Sequence, residues 1–270
     1  MYMRPLCFAV YVYDDYSKYI PFYIYSILKS YPEYFVKVFL RETLSEREKK
    51  CLKLIKENLS SNFEVKENYY SNFRFSDTTM RVLRFLIPYE EFKEFENVYI
   101  GDVDFLIVRE TPSLLEGHLK HCERIGLPYS NEIRIGTKRL SGLHFFKVKE
   151  YYSKMNKIIE YYLNNTDELY RLMDKFKSNE RFLYYIIEKG IGFGRLNQTR
   201  KYRPHHGIHL SCEIEGYFEN RKEASRARYN RLKNQLKEYY ADPLFQEMLK
   251  ILPVEKFMQL SRELQKYKDE

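Results

Sequence analysis

A chain of 270 residues with 44% hydrophobic content can bury one sizeable core and a small appendage. Its mean hydropathy of −0.59, with no apolar run near the roughly 18 residues a bilayer span needs, excludes a membrane-crossing helix. A net charge of +8 and a pI near 9.0 favour an anionic partner (nucleic acid, acidic lipid or a phosphorylated substrate) without choosing among them.

Residues 6–13, "LCFAVYVY", read as a buried strand between Pro5 and Asp14-Asp15. The preceding "MYMRP" and this short run fit a first core strand better than a secretion signal, which places the chain in the cytoplasm. "YSKYIPFYIYSILKSYP" reads as a helix, with Ser17 as cap, Pro21 in the first turn and Pro32 as its stop. "FVKVFL" alternates as a second strand, and "SEREKKCLKLIKENL" carries a capping box from Ser45 to Glu48. "FEVKEN" is a short third strand, "SDTTMRVLRFLIPYEEF" an amphipathic helix, and "NVYIGDVDFLIV" the next strand. Residues 111–150 hold shorter elements. They lead to two helices, "EYYSKMNKIIEYYLNN" and "SNERFLYYIIEKG", the second stopped by Gly190. A basic, His-rich loop follows residue 195, then amphipathic charged helices over 221–240 and 254–267.

The β-α-β-α-β order predicts an α/β fold, a mostly parallel sheet flanked by helices, with a helical C-terminal extension. The expected division is a main domain over 1–215 and a basic helical extension over 216–270. Four scattered cysteines (Cys7, Cys51, Cys122, Cys212) lack CxxC spacing and read as isolated buried thiols.

In such sheets ligands bind at the carboxyl ends of the strands. Asp14 and Asp15 stand at the end of the first strand, Asp102 and Asp104 near the end of a later one. Residues two apart in an extended segment share a side, so Asp102 and Asp104 converge on one object. Carboxylates in apolar surroundings need positive charge. Arg81, Arg84 or Arg109 could supply it as salt bridges, or a divalent cation shared with a diphosphate could. The stretch "RPHHGIHL" concentrates His205, His206 and His209, and imidazole suits manganese better than magnesium.

Four blocks in order carry a family resemblance. "FAVYVYDDYSKYIPFYIYSILKSYP", "SDTTMRVLRFLIPYEEFKEFENVYIGDVDFLIV", "LSGLHFFKVKEYY" and "SNERFLYYIIEKG" together resemble GT-A fold (Rossmann-like) nucleotide-sugar glycosyltransferases. They are most similar to glycosyltransferase family 8, which includes bacterial lipopolysaccharide galactosyl- and glucosyltransferases. The resemblance spans about residues 6–210. It implies a metal-dependent hexosyltransferase, retaining, acting on a nucleotide-sugar donor, UDP-linked by analogy, and a glycan or lipid-linked acceptor. It also implies a Mn2+ or Mg2+ cofactor.

Carried over, Asp102 and Asp104 would hold the metal, with His206 or His209 completing its shell. Asp14, with Asp15 or Tyr13, would contact the base or ribose, and Asp102 the ribose as well. Arg81, or Arg84 in its place, would contact the diphosphate or the donor sugar. Ser141 and Gly142 would line the donor sugar, and Asn179 and Glu180 would stand at the reacting centre. Leu140 replaces the family's asparagine before Ser141, and Glu180 replaces its glutamine. No lysine or tryptophan follows the histidines as in the family, so Arg200, Lys201 or Arg203 would serve the phosphate. Glu180 could stabilise or attack the anomeric carbon, act as base on the acceptor, or simply favour its helix dipole.

The basic segment "RKEASRARYNRLKNQLK" offers a contact with the inner face of an anionic membrane. Two other readings compete. A sugar nucleotidyltransferase would use the same aspartates, but no glycine-rich phosphate loop follows the first strand. A nucleic-acid-binding module would suit the charge but leaves the aspartates without a role, so no nucleic-acid partner is expected.

Overall fold

The structure, a computed structural model, describes residues 3–194, 207–219 and 223–267. His205 and His206 therefore lie outside the described residues, as do Arg200, Lys201 and Arg203.

β1 (Arg4–Val12) is the central strand. Leu6, Phe8, Val10 and Val12 pack into one core layer, and Cys7, Ala9, Tyr11 and Tyr13 into the other. Apolar character on both faces is what a strand covered by helices on both sides requires. A 3-10 turn over Asp14–Tyr19 leads into α1 (Ile20–Ser30). The helix therefore begins later than its sequence suggests, with Pro21 in its first turn and no side-chain cap from Ser17.

β2 (Phe35–Leu40), α2 (Glu46–Asn58) and β3 (Phe63–Lys66) follow. The capping box forms: Glu48 N donates to Ser45 Oγ at 3.3 Å, and Ser45 N donates to Glu48 Oε2 at 2.6 Å. α3 (Asp77–Leu83) is shorter than the long helix its period predicts. Pro88 disfavours helix at Ile87, and Phe85, Leu86 and Ile87 are buried in the core instead of extending a helix.

β4 (Phe95–Ile100) and β5 (Phe105–Ile107) are two strands, not the single strand read from "NVYIGDVDFLIV". Residues 101–104 turn between them, so Asp102 and Asp104 sit in a turn rather than in strand alternation.

α4 (Leu114–Ile125), β6 (Tyr129–Ser130), the hairpin β7 (Ile133–Arg134) and β8 (Arg139–Leu140), and β9 (His144–Lys147) make the middle. α5 (Val148–Asn164), α6 (Thr166–Phe176) and α7 (Asn179–Gly190) cover one face of the sheet. α6 has no counterpart among the expected elements, although Leu169, Leu172 and Met173 mark its buried side. β10 (Gly207–His209) pairs with β5, and α8 (Glu223–Ala241), α9 (Pro243–Ile251) and α10 (Glu255–Gln265) end the chain.

The main sheet runs β3-β2-β1-β4-β9-β6. β1 to β4 are parallel, and β9 and β6 antiparallel at the edge. The mixed α/β class with a mostly parallel, helix-flanked sheet is thus realised.

The C-terminal helices share the core layer of α1. Phe22 meets Phe257 at 4.3 Å between ring centroids, and Lys29 pairs with Asp242 at 2.6 Å. Positive charges expected to face an anionic surface are partly turned inward. Arg228 pairs with Glu110 at 2.8 Å, Lys237 donates to the Tyr267 carbonyl, and Lys233 is buried over the Tyr267 ring. Among the described residues no helix is long and apolar enough to cross a membrane. Cys7, Cys51 and Cys122 are buried free thiols; Cys212 departs from that expectation and is exposed.

Three histidines are buried in the middle of the fold: His118, His121 and His144. Burial pushes His144 down to about 3; burial, then the Arg124 charge, lowers His121 to about 4. A folded value below the unfolded one costs nothing above about pH 6.5, the unfolded value. As pH falls from there the unfolded chain binds the proton first, costing about 1.4 kcal/mol per pH unit for each histidine. Between pH 7 and 5, His144 alone should remove about 2 kcal/mol. Urea unfolding of His144→Gln should therefore show a shallower loss over that interval than the parent chain. An equal loss would contradict the assignment.

Candidate active site

A cavity of about 1060 Å³ opens at the carboxyl ends of β1 and β4. Its first wall comes from β1 and the turn after it: Tyr11, Val12, Tyr13 and Tyr16. Asp14 and Asp15 do not join them. Asp14 takes a left-handed backbone (φ 55), its N–H donates to Glu42 Oε2 at 3.1 Å, and both acids are exposed outside the lining. The aromatic rings replace them: Tyr13 and Tyr16 lie 6.1 Å apart, with Phe75 6.1 Å from Tyr13.

α3 contributes two arginines with different surroundings. Arg81 is half exposed, pairs with Asp77 at 2.9 Å and donates from Nε to Tyr13 Oη at 3.3 Å. Arg84 is buried, donates from Nη1 to the Gly101 carbonyl at 3.2 Å and forms an ion pair with Asp102 Oδ1. The arginine next to the acidic turn is therefore Arg84. Asp102 Oδ2 makes no hydrogen bond among the described residues.

Asp104 is 5% exposed. It is brought to His209 by the antiparallel pairing of β10 with β5, in which His209 stands opposite Phe105. The imidazole stacks on that ring at 4.5 Å, its Nε2 lies 3.1 Å from Asp104 Oδ2, and Ser211 Oγ donates to the same oxygen. Gly207 makes the close pairing possible: a Cβ there would collide with the Leu106 carbonyl. Burial by itself would raise the Asp104 pKa, but the His209 hydrogen bond and charge and the Ser211 hydroxyl lower it. Burial would lower His209, and the Asp104 hydrogen bond and charge outweigh it and raise the value.

Ser141, Gly142 and Leu143 continue the lining beside Arg84, with Asn179 and Glu180 from the first turn of α7. Ser178 caps that helix by accepting from Arg181 N. Glu180 is flanked by Arg134 at 3.7 Å and Arg139 at 3.9 Å, two guanidiniums that orient its carboxylate. The rim is closed by Ser211, Cys212, Glu213 and Glu215. These four follow His209 directly in sequence; their adjacency to it was the one signal that could have found them.

The structure thus brings Tyr13, Arg81, Asp102, Asp104, Ser141, Gly142, Asn179, Glu180 and His209 to one cavity and leaves Asp14 and Asp15 outside it. Among the described residues the lining holds five carboxylates, those of Asp102, Asp104, Glu180, Glu213 and Glu215, two arginines and one histidine. Among the described residues no three His, Cys, Asp or Glu side chains are already clustered as metal ligands. Asp104 and His209 are an adjacent oxygen and nitrogen donor, and Asp102 keeps one oxygen without a hydrogen bond among the described residues. Carboxylate and imidazole together are donors compatible with manganese, and Asp102 stands in an ion pair with Arg84.

No family model matches the chain, and no curated protein matches it in sequence. Its fold is similar to that of solved glycosyltransferases. One is an active-site mutant of LgtC, with TM-score 0.48 and 11% identity over 85% of this chain and 95% of that one. A second is the galactosyltransferase LgtC in complex with donor and acceptor sugar analogues, with TM-score 0.44 and 13% identity over 92% and 96%. A third is the apo form of the glycosyltransferase GlyE of Streptococcus pneumoniae TIGR4, with TM-score 0.44 and 10% identity over 97% and 64%. With TM-scores of 0.44 to 0.48 and identities of 10 to 13%, these likenesses carry no argument about this chain's chemistry or fold.

Proposed function

We propose that the chain is a metal-assisted hexosyltransferase that takes its sugar from a nucleotide diphosphate, UDP being favoured, and passes it to a glycan or lipid-linked acceptor with retention. The observation that carries this is the convergence of the Asp102–Asp104 turn, His209, two arginines and the α7 pair Asn179–Glu180 on one cavity. The carboxyl ends of parallel strands are where such sheets bind ligands.

In this reading the base lies against Tyr13 and Tyr16, and Arg81 reaches the diphosphate. Asp104, His209 and Asp102 would hold the cation, which supplies charge stabilisation to the departing diphosphate. Arg84 is released from Asp102 as that carboxylate turns, leaving its guanidinium free for a phosphate oxygen. Ser141 and Gly142 border the sugar, and Glu180, held by Arg134 and Arg139, faces the anomeric centre as a carboxylate.

Thermal shift with UDP, GDP, CDP and their hexose conjugates, each with and without MnCl2, tests the reading. One nucleotide diphosphate should raise Tm only when manganese is present. A chain stabilised by nucleoside triphosphates instead, with pyrophosphate formed from a sugar phosphate, would be a nucleotidyltransferase. No stabilisation by any nucleotide would remove the proposal.

A further inference from the structure

We infer that Asn131, which the cavity does not expose, is a positioning residue for its metal-side wall, acting through the Ser141–Leu143 turn on Arg84 and so on Asp102. The inference rests on the reading of the cavity given above. Asn131 follows β6 and is 3% exposed. Its carboxamide is engaged on both ends by a segment ten residues away. Oδ1 accepts from Ser141 N at 2.8 Å. Nδ2 lies 2.9 Å from the Ser141 carbonyl, 3.0 Å from the Leu143 carbonyl and 3.1 Å from His144 Nδ1. A primary amide has two hydrogens, so three acceptors saturate it.

One side chain thus fixes the backbone on both sides of Gly142. That matters because Gly142 is the seat of the Arg84 guanidinium: a Cβ there would collide with Nη2 and stand 3.4 Å from Cζ. From this seat Arg84 reaches the Gly101 carbonyl and Asp102. The chain of contacts runs from amide to turn, from turn to guanidinium, and from guanidinium to the carboxylate that the cation needs. Leaving the partners of such a buried amide unmatched should shift the coupled equilibrium about tenfold, or about 1.4 kcal/mol.

Asn131→Asp keeps the shape but sets an oxygen against the Ser141 and Leu143 carbonyls. Nitrogen-15 arginine spectra of the ligand-free protein read the consequence. The Arg84 guanidinium, identified by its loss in Arg84→Lys, should rotate slowly in the parent chain. It should rotate about tenfold faster in Asn131→Asp. Gly142→Ala, which disturbs the seat without touching the amide, should do the same, and the double variant should be no faster than the faster single one. Asn131→Ala, which removes the same hydrogen bonds without adding charge, serves should Asn131→Asp fail to fold. Unchanged Arg84 rotation in either folded variant would overturn the inference. UDP with MnCl2 should bind each single variant about tenfold more weakly than the parent, because a guanidinium off its seat no longer meets the phosphate oxygen. A parent chain that binds no UDP would defeat the functional reading alone, since the rotation rates still decide the role of Asn131.

Discussion

Asp104→Asn should lower kcat/KM for sugar transfer by about a thousandfold and remove its dependence on a divalent cation. The substitution keeps the size of the side chain and its contact with Ser211, so the turn between β4 and β5 can hold its shape. What it removes is the charge. Asp104 is 5% exposed and lies 3.1 Å from His209 Nε2, the one histidine of the "RPHHGIHL" stretch described in the cavity. Without that charge a cation keeps only a neutral imidazole and Asp102, and several kcal/mol of leaving-group stabilisation go with it. Steady-state kinetics over a manganese titration decide the matter. Turnover within tenfold of the parent chain, with manganese still required, would take Asp104 out of the site. Asp102→Asn should be milder in binding, because it also frees Arg84 from its ion pair.

Glu180→Gln should cut kcat by about a thousandfold while the nucleotide-sugar Kd stays within threefold. Binding survives because the nucleotide end of the cavity, at Tyr13, Tyr16 and Arg81, lies on other elements than α7. Turnover falls because the amide cannot offset positive charge developing at the anomeric carbon, nor attack it. The paired guanidiniums of Arg134 and Arg139 would be left facing a neutral group, so a modest fall in Tm accompanies the loss. Stopped-time transfer assays together with calorimetric donor titration separate the two quantities. Retained kcat would remove Glu180 from the reaction; a lost Kd would make it a binding residue. Retained anomeric configuration in the product supports the face-on carboxylate, whereas inversion would make Glu180 a base on the acceptor.

Local patterns explain why much of this architecture was legible in the sequence. The two-faced apolar run of β1, the Ser45–Glu48 capping box and the first turn of α7 each depend on neighbours within a few residues. The acidic turn was found for a partly mistaken reason. Asp102 and Asp104 share the cavity because residues 101–104 leave the sheet between β4 and β5, and strand alternation has no part in it. Asp14 and Asp15 stand exposed outside the cavity lining, and nothing local announces the left-handed backbone at Asp14. Arg81 and Arg84 stand three apart in the sequence and look equivalent; Arg84, just past the end of α3, is the buried one, packed against Gly101 and Gly142. Asn131 was invisible for the same reason, since its partners are set by the return of the chain at Ser141. α6 and α9 do carry local signals, the spacing of Leu169, Leu172 and Met173 and the Asp242-Pro243 start.

The most direct measurement is anomalous diffraction from crystals soaked with MnCl2 and UDP. A manganese peak between Asp104 and His209, with Asp102 swung off Arg84 to meet it and a diphosphate on the far side, is the expected picture. Density for UDP with Asp102 still on Arg84, His209 still on Asp104 and no anomalous peak would contradict it.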